Sequence, residues 1–163
     1  MAVYEGSAGI KALRDKINLK SKMLVGESLE KIATHMVDES PLGAEYYKTG
    51  AGAIASYGLV QNDQGDFKNS WMVGLGVANP EIRPADVNGT AAVADAIIKG
   101  KLYNLEDESF VTNNVDYADK VETGWEDNPM YGWKAKGGYH VVESNTASAV
   151  AILEAVAQKV SKL

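Results

Sequence analysis

The chain has no cysteine, only four prolines and only two phenylalanines among its 163 residues. Without Cys there is no disulfide, no thiolate nucleophile and no Cys-based zinc site. That absence is compatible with a reducing compartment. No apolar run approaches the roughly eighteen residues needed to span a bilayer. The opening MAVYEGSAG lacks the basic and apolar regions of a secretory signal. Clustered positive charge is also missing. Sixteen Lys and Arg stand against 22 Asp and Glu, a net charge of −6. The cations between Lys11 and Lys31 are interrupted by Asp15, Glu27 and Glu30 and read as the solvated face of a helix. Counterion release on nucleic acid needs clustered cations, so a sequence-specific DNA reader is not expected. An acidic wall, by contrast, lets DNA slide past without sticking.

Signatures of chemistry are equally sparse. There is no Gly-x-Ser-x-Gly elbow, no Gly-Lys-Ser/Thr phosphate loop and no EF-hand pattern. Gly74-Leu75-Gly76 does not extend to a dinucleotide fingerprint. The acidic runs Glu106-Asp107-Glu108 and Glu126-Asp127 read as solvated loops. Of the two histidines, His35 has only Glu39 at helical distance, and His140 has no evident partner. A triad assembled from distant positions would leave no local trace. No catalytic, cofactor-binding or metal-binding residue is therefore assigned, and the chain is not expected to be an enzyme.

What is present fits one domain, residues 1–163. A domain of this length buries about 70% of the surface that its unfolded chain exposes. Ile10, Leu13, Ile17 and Leu24, then Val25, Leu29, Ile32 and Met36, recur at helical spacing. They predict a long helix over residues 8–39, single or in two end-to-end pieces, with one face on the core. Gly26 should weaken or bend it, and Pro41 should end it. Trp71, Val73, Leu75 and Val77 alternate with Ser70, Met72, Gly74 and Gly76, which predicts a strand with one small-residue face open to close approach. Thr90–Lys99 reads as a helix closed by Gly100. Ser109–Val115 reads as a second strand, turning at Asn113-Asn114. Asp116 would cap a short helix, Tyr117–Glu122. Tyr139–Val142 reads as a third strand, and Ser144 or Asn145 as the cap of a last helix with Val150, Leu153, Val156, Val160 and Leu163 along its stripe.

Two short address patterns have plainer readings. Asn88-Gly89-Thr90 fits a glycosylation sequon, but it reads equally as the turn feeding a helix. Ser161-Lys162-Leu163 fits a peroxisomal tripeptide, but it also ends an amphipathic helix with Lys where the dipole favours a cation. The order of elements predicts an α+β fold: a small mixed or antiparallel sheet packed against a long N-terminal helix and a C-terminal helix.

Two stretches lack periodicity, 41–66 and 125–138, and are expected to be mobile or ordered by a partner. Tyr46, Tyr47 and Tyr57 in the first either pack over the core edge or contact a neighbouring subunit, since Tyr joins apolar area to a polar tip. Trp125, Tyr131 and Trp133 in the second are interface candidates, because three aromatics in one irregular loop exceed local core needs.

Two phrases carry the most information. The first is Gly65-Asp66-Phe67-Lys68-Asn69-Ser70-Trp71, leading into the strand. The second runs Asn113-Asn114-Val115-Asp116-Tyr117-Ala118-Asp119-Lys120-Val121-Glu122-Thr123-Gly124-Trp125. With a long N-terminal helix ending in Pro and a closing amphipathic helix, this layout resembles the tail-completion, or head–tail joining, proteins of long-tailed bacteriophages. The resemblance covers most of residues 8–163. The sequence departs from the family pattern after the second phrase, where a longer stretch with only Pro129 replaces a Pro-Gly segment. The resemblance implies a virion structural protein at the neck, forming a homohexameric ring that completes the tail. Its implied partners are further copies of itself, the tail tube protein and the head connector or adaptor protein, with DNA only as passing cargo and no membrane. Six copies would carry about −36 in total, in keeping with such a lumen. A head-side connector component of the same neck, or a small enzyme using His35 or His140, are the alternative readings. Within the motif, Trp71, Asn113, Asn114, Tyr117 and Gly124 are expected to define the fold. Glu122 is expected to close the short helix, to pair across a subunit boundary or simply to be solvated.

Overall fold

The computed structural model describes residues 4–42, 65–116, 118–124 and 138–163. Helix α1, Tyr4–Glu39, runs unbroken for 36 residues, about 54 Å at 1.5 Å per residue. It is followed by α2 (Asp66–Asn69), β1 (Trp71–Leu75), α3 (Thr90–Leu102), β2 (Ser109–Asn113), α4 (Ala118–Thr123) and α5 (Val141–Ser161). The predicted α+β fold is the one observed. Helices α3 and α5 both pack on α1, and β1 lies against α3 and α1. Among the described residues the sheet is an antiparallel pair in which Trp71 faces Asn113 and Leu75 faces Ser109.

The core sits where the C-terminal half of α1 meets the sheet. Met36, Val37, Phe67, Trp71, Ala92, Val115, Val121 and Val141 form one buried cluster, and Leu29, Ala33, Val73 and Ala96 form a second. Trp71 is the anchor expected from the sequence. Its ring meets Phe67 edge-on at 5.5 Å, and its indole N–H donates to Ser40 Oγ at 2.7 Å. Ser40 Oγ in turn donates to the Met36 carbonyl at 2.6 Å, just before Pro41. The indole thus ties the first strand to the C-terminal turn of α1.

Several expectations are corrected. Gly26 does not interrupt α1, and Gly100 does not end α3, which continues to Leu102. Each glycine lies where the two helices cross. A Cβ on either would collide with the carbonyl oxygen of the other, so both are required by close backbone approach rather than by helix termination. Strand β1 stops at Leu75, two residues early. Val77 is 72% exposed, and the chain folds back so that the Val77–Asn79 backbone lies directly against Gly74. The small-residue face therefore does admit a close backbone. β2 ends at Asn113 rather than at Val115.

Residues 139–142 are not a strand. Tyr139 and His140 donate their backbone N–H groups to Val121 and Glu122 carbonyls, and α5 starts at Val141. Ser144 and Asn145 lie inside its first turn and donate to the Val141 carbonyl instead of capping the helix. The expectation for α1 fails in its first half: Ile10, Leu13 and Ile17 are 71%, 60% and 54% exposed. On α5, Val156 and Val160 are buried, while Val150, Leu153 and Leu163 are exposed.

Candidate assembly surface

The two informative phrases fold onto each other. Asn113 Nδ2 donates to the Phe67 carbonyl at 2.7 Å, while Asn113 Oδ1 accepts from Val115 N–H at 3.4 Å. One side chain therefore holds the first phrase and shapes the turn of the second. Asn114 Nδ2 donates to the Asn79 carbonyl at 2.8 Å and to the Glu81 carbonyl at 3.2 Å. Thr112 Oγ1 donates to the same Asn79 carbonyl at 2.9 Å. The loop after β1 is thereby stapled to the end of β2. Asn69, 4% exposed, does the same on the other side. Its Nδ2 donates to the Pro84 carbonyl, and its Oδ1 accepts from Ala92 N–H in the first turn of α3.

The outer edge of β1 is closed by side chains. Val73 N–H donates to Asp95 Oδ2 at 3.0 Å, Arg83 Nη1 donates to the Trp71 carbonyl at 3.1 Å, and Arg83 pairs with Asp95 at 3.4 Å. A strand so occupied offers no free ladder to another chain. Asp86 starts α3: its carboxylate accepts from Asn88 and Thr90 N–H. The Asn88 bond, followed by those of Thr90, holds that carboxyl below the usual aspartate range. The Asn88-Gly89-Thr90 turn does feed a helix, as expected, but the cap comes from Asp86.

Glu122 has an intramolecular role. Its Oε1 accepts from Val142 N–H at 2.9 Å and from Glu143 N–H at 3.2 Å, at the first turn of α5. It serves α5 rather than closing its own short helix, and a carboxylate suits the positive end of the helix dipole. Gly124 follows at φ 102 and is buried. Tyr46, Tyr47, Tyr57, Tyr117, Trp125, Tyr131 and Trp133 lie outside the described residues. His35 does not pair with Glu39: its Nδ1 is buried without a hydrogen-bond partner. His140 forms an exposed pair with Glu143 at 3.0 Å. Among the described residues no three His, Asp or Glu side chains gather where a metal ion would be held, and no helix is long and apolar enough to cross a membrane.

No protein-family model, curated protein or solved structure matches this chain. The surface must be read from its own residues. Two exposed apolar regions stand out. One is the N-terminal half of α1, with Ile10, Leu13, Ile17 and Leu19. At its base, Leu19, Met23, Lys22, Glu27 and Lys159 line a cleft of about 480 Å³. The other lies beside the stapled loop, where Val77 and Ile82 are exposed. There Asp66, Ile82, Val115 and Asp116 line a shallow cleft of about 220 Å³. Sequence reasoning missed both. The available signal in α1 was the step from Leu24 to Val25, where the apolar row changes face: a 3.6-residue period turns the second set roughly 100° from the first.

Proposed function

We propose that this chain is a virion structural protein of a tailed bacteriophage, acting in a ring at the head–tail junction that completes the tail and joins it to the head connector. The observation that carries this reading is the clasp between the two phrases on which the resemblance rests. Trp71 pairs with Asn113 in the sheet, and Asn113 holds the Phe67 carbonyl. The residues on which that resemblance rests thus join the two phrases, more than forty residues apart in the chain. Glu122 extends the same scaffold to the closing helix. The partners under this reading are further copies of the chain, the tail tube protein and the connector beneath the head, with DNA passing through a ring of acidic subunits.

Cryo-microscopy of the purified particle, with mass spectrometry of its proteins, tests the proposal. The expected result is a ring of this chain at the top of the tail. A ring on the head side of the joint would reassign it to the adaptor, and absence from mature particles would overturn the reading.

A further inference from the structure

Helix α1 outruns the helix that covers it. Helix α5 runs antiparallel along α1, and its last turns are fixed by Lys159 Nζ on Glu27 at 2.7 Å and by Lys20 Nζ on the Ser161 carbonyl at 3.2 Å. Beyond that point every described side chain from residue 9 to residue 19 is exposed. Residues 9–19 therefore project as a bare stretch of helix about 16 Å long. Ile10, Leu13, Ile17, Lys20, Leu24 and Glu27 follow one another at three- and four-residue steps, so they share a face. α5 covers the inner end of that face and leaves Ile10, Leu13 and Ile17 bare. An isolated helix of this length is marginal in water without a partner for its apolar side.

The charge on this arm narrows the choice of partner. Lys11, Arg14, Lys16, Lys20 and Lys22 oppose Asp15 alone, leaving +4 on residues 11–22, so a chain of net −6 holds −10 elsewhere. Two arms laid together would set +4 against +4 along the whole contact. The acidic body of a second copy is the complementary surface. It offers an apolar acceptor at Ile82, 54% exposed, beside the exposed carboxylates Glu81 and Asp116 and above the cleft that Asp116 and Val115 line. That acceptor is close to Phe67 and Trp71, which pack on Met36 at the opposite end of α1, about 35 Å along the helix from Leu13. One copy cannot fill its own acceptor. Arm and acceptor are different patches, so the contact can run head to tail, the type that closes into rings or runs on as open chains.

We propose that the projecting turns of α1 dock, through Ile10, Leu13, Ile17 and their flanking cations, onto the acidic apolar surface around Ile82 and Asp116 of a second copy. This deepens the ring reading above and rests on it for its biological setting.

The full chain in sedimentation velocity at tens of micromolar should associate in low salt and dissociate toward monomer at about 0.5 M salt, where screening shortens to a few ångströms. Leu13→Asp with Ile17→Asp, and separately Ile82→Asp, should each weaken self-association roughly tenfold or more. Thermal unfolding should be unchanged, because all three side chains are exposed. Mixing the arm variant with the Ile82 variant should restore a one-to-one pair and nothing larger, since each retains the half that the other has lost. A wild-type monomer under all conditions, or an arm variant that still associates, overturns the proposal. So does an arm that binds anionic phosphatidylserine vesicles or duplex DNA while the protein stays monomeric, which would give the arm to a membrane or a nucleic acid. If association behaves as stated but particles lack the chain, the contact stands and the neck assignment falls. If particles built with the arm variant have complete joined tails, the contact falls and the neck assignment stands.

Discussion

The two halves of α1 carry apolar side chains at the same spacing and meet opposite fates. From Leu29 to Val37 they are sealed against the sheet and α3, with Ala33 and Val37 almost wholly inaccessible. From Ile10 to Leu19 they stand in solvent. Helical periodicity is identical in both halves, so it specifies that a face exists and not what covers it. The difference lies in what the rest of the chain brings to each half. Trp71, Phe67 and the Gly100 crossing reach the second half, while the last turn of α5 stops near Lys20.

Breaking the buried half should produce the largest effect. Trp71→Ala removes a side chain that is 4% exposed, its edge-on contact with Phe67 and its hydrogen bond to Ser40. Denaturant unfolding should show a loss of about 3–5 kcal/mol, the usual range for a core Trp. A loss under 1 kcal/mol would mean that the clasp does not organise this core.

A matched pair of substitutions in the one helix separates the halves more finely. Gly26→Ala places a methyl group against the Gly100 carbonyl oxygen, which is backbone and cannot rotate away. Forcing the helices apart should cost about 1–3 kcal/mol, more than the up to ~1 kcal/mol that Ala gains over Gly in a helix. Gly9→Ala meets nothing within 4 Å and should raise far-UV helicity with no loss of stability. Equal effects at both positions would erase the distinction between a packed half and a projecting one.

These contrasts also explain what the sequence made legible. Elements whose signals are local emerged from it: the long helix stopped by Pro41, the Trp71 strand, the α3 segment, the Asn113-Asn114 turn. What escaped depends on distant chain. α5 begins at Val141 because a carboxylate twenty residues earlier accepts from its first N–H groups, and no pattern within residues 139–145 encodes that. Gly100 resembles a helix terminator until Gly26 is brought against it. Of the proposed surface, the cations and apolar residues of the arm were visible as types. Their exposure was not, because it depends on how far along α1 the last helix reaches.

Glu122 makes the distant cap testable. Glu122→Ala leaves the Val142 and Glu143 N–H groups without their acceptor and should cost about 1 kcal/mol, typical of a lost N-cap. Glu122→Gln keeps an acceptor oxygen but loses the charge–dipole attraction and should cost less. If Ala and Gln lose the same amount, the charge contributes all of it and a neutral acceptor in that place contributes nothing.

The boundary between the two halves of α1 should respond to pH, with the smallest effect. Lys159, hydrogen-bonded to Glu27 at 2.7 Å, holds that carboxyl below the usual glutamate range. Burial opposes the shift, and Lys31 at 3.6 Å adds to it. Because the folded carboxyl binds its proton less readily than the unfolded one, the pair stabilises the protein fully above the unfolded value. The contribution then fades as pH falls through the lowered folded value. Lys159 is 63% exposed, so screening keeps the contribution to a few tenths of a kcal/mol and up to about 1 kcal/mol. Glu27→Gln should therefore lower stability slightly at neutral pH and leave it unchanged in strong acid, and the wild-type and variant curves should converge below about pH 4. Salt should narrow the neutral-pH gap without moving the acid limb. A gap that persists in acid would mean that Glu27 acts by packing against the base of the arm and not by charge.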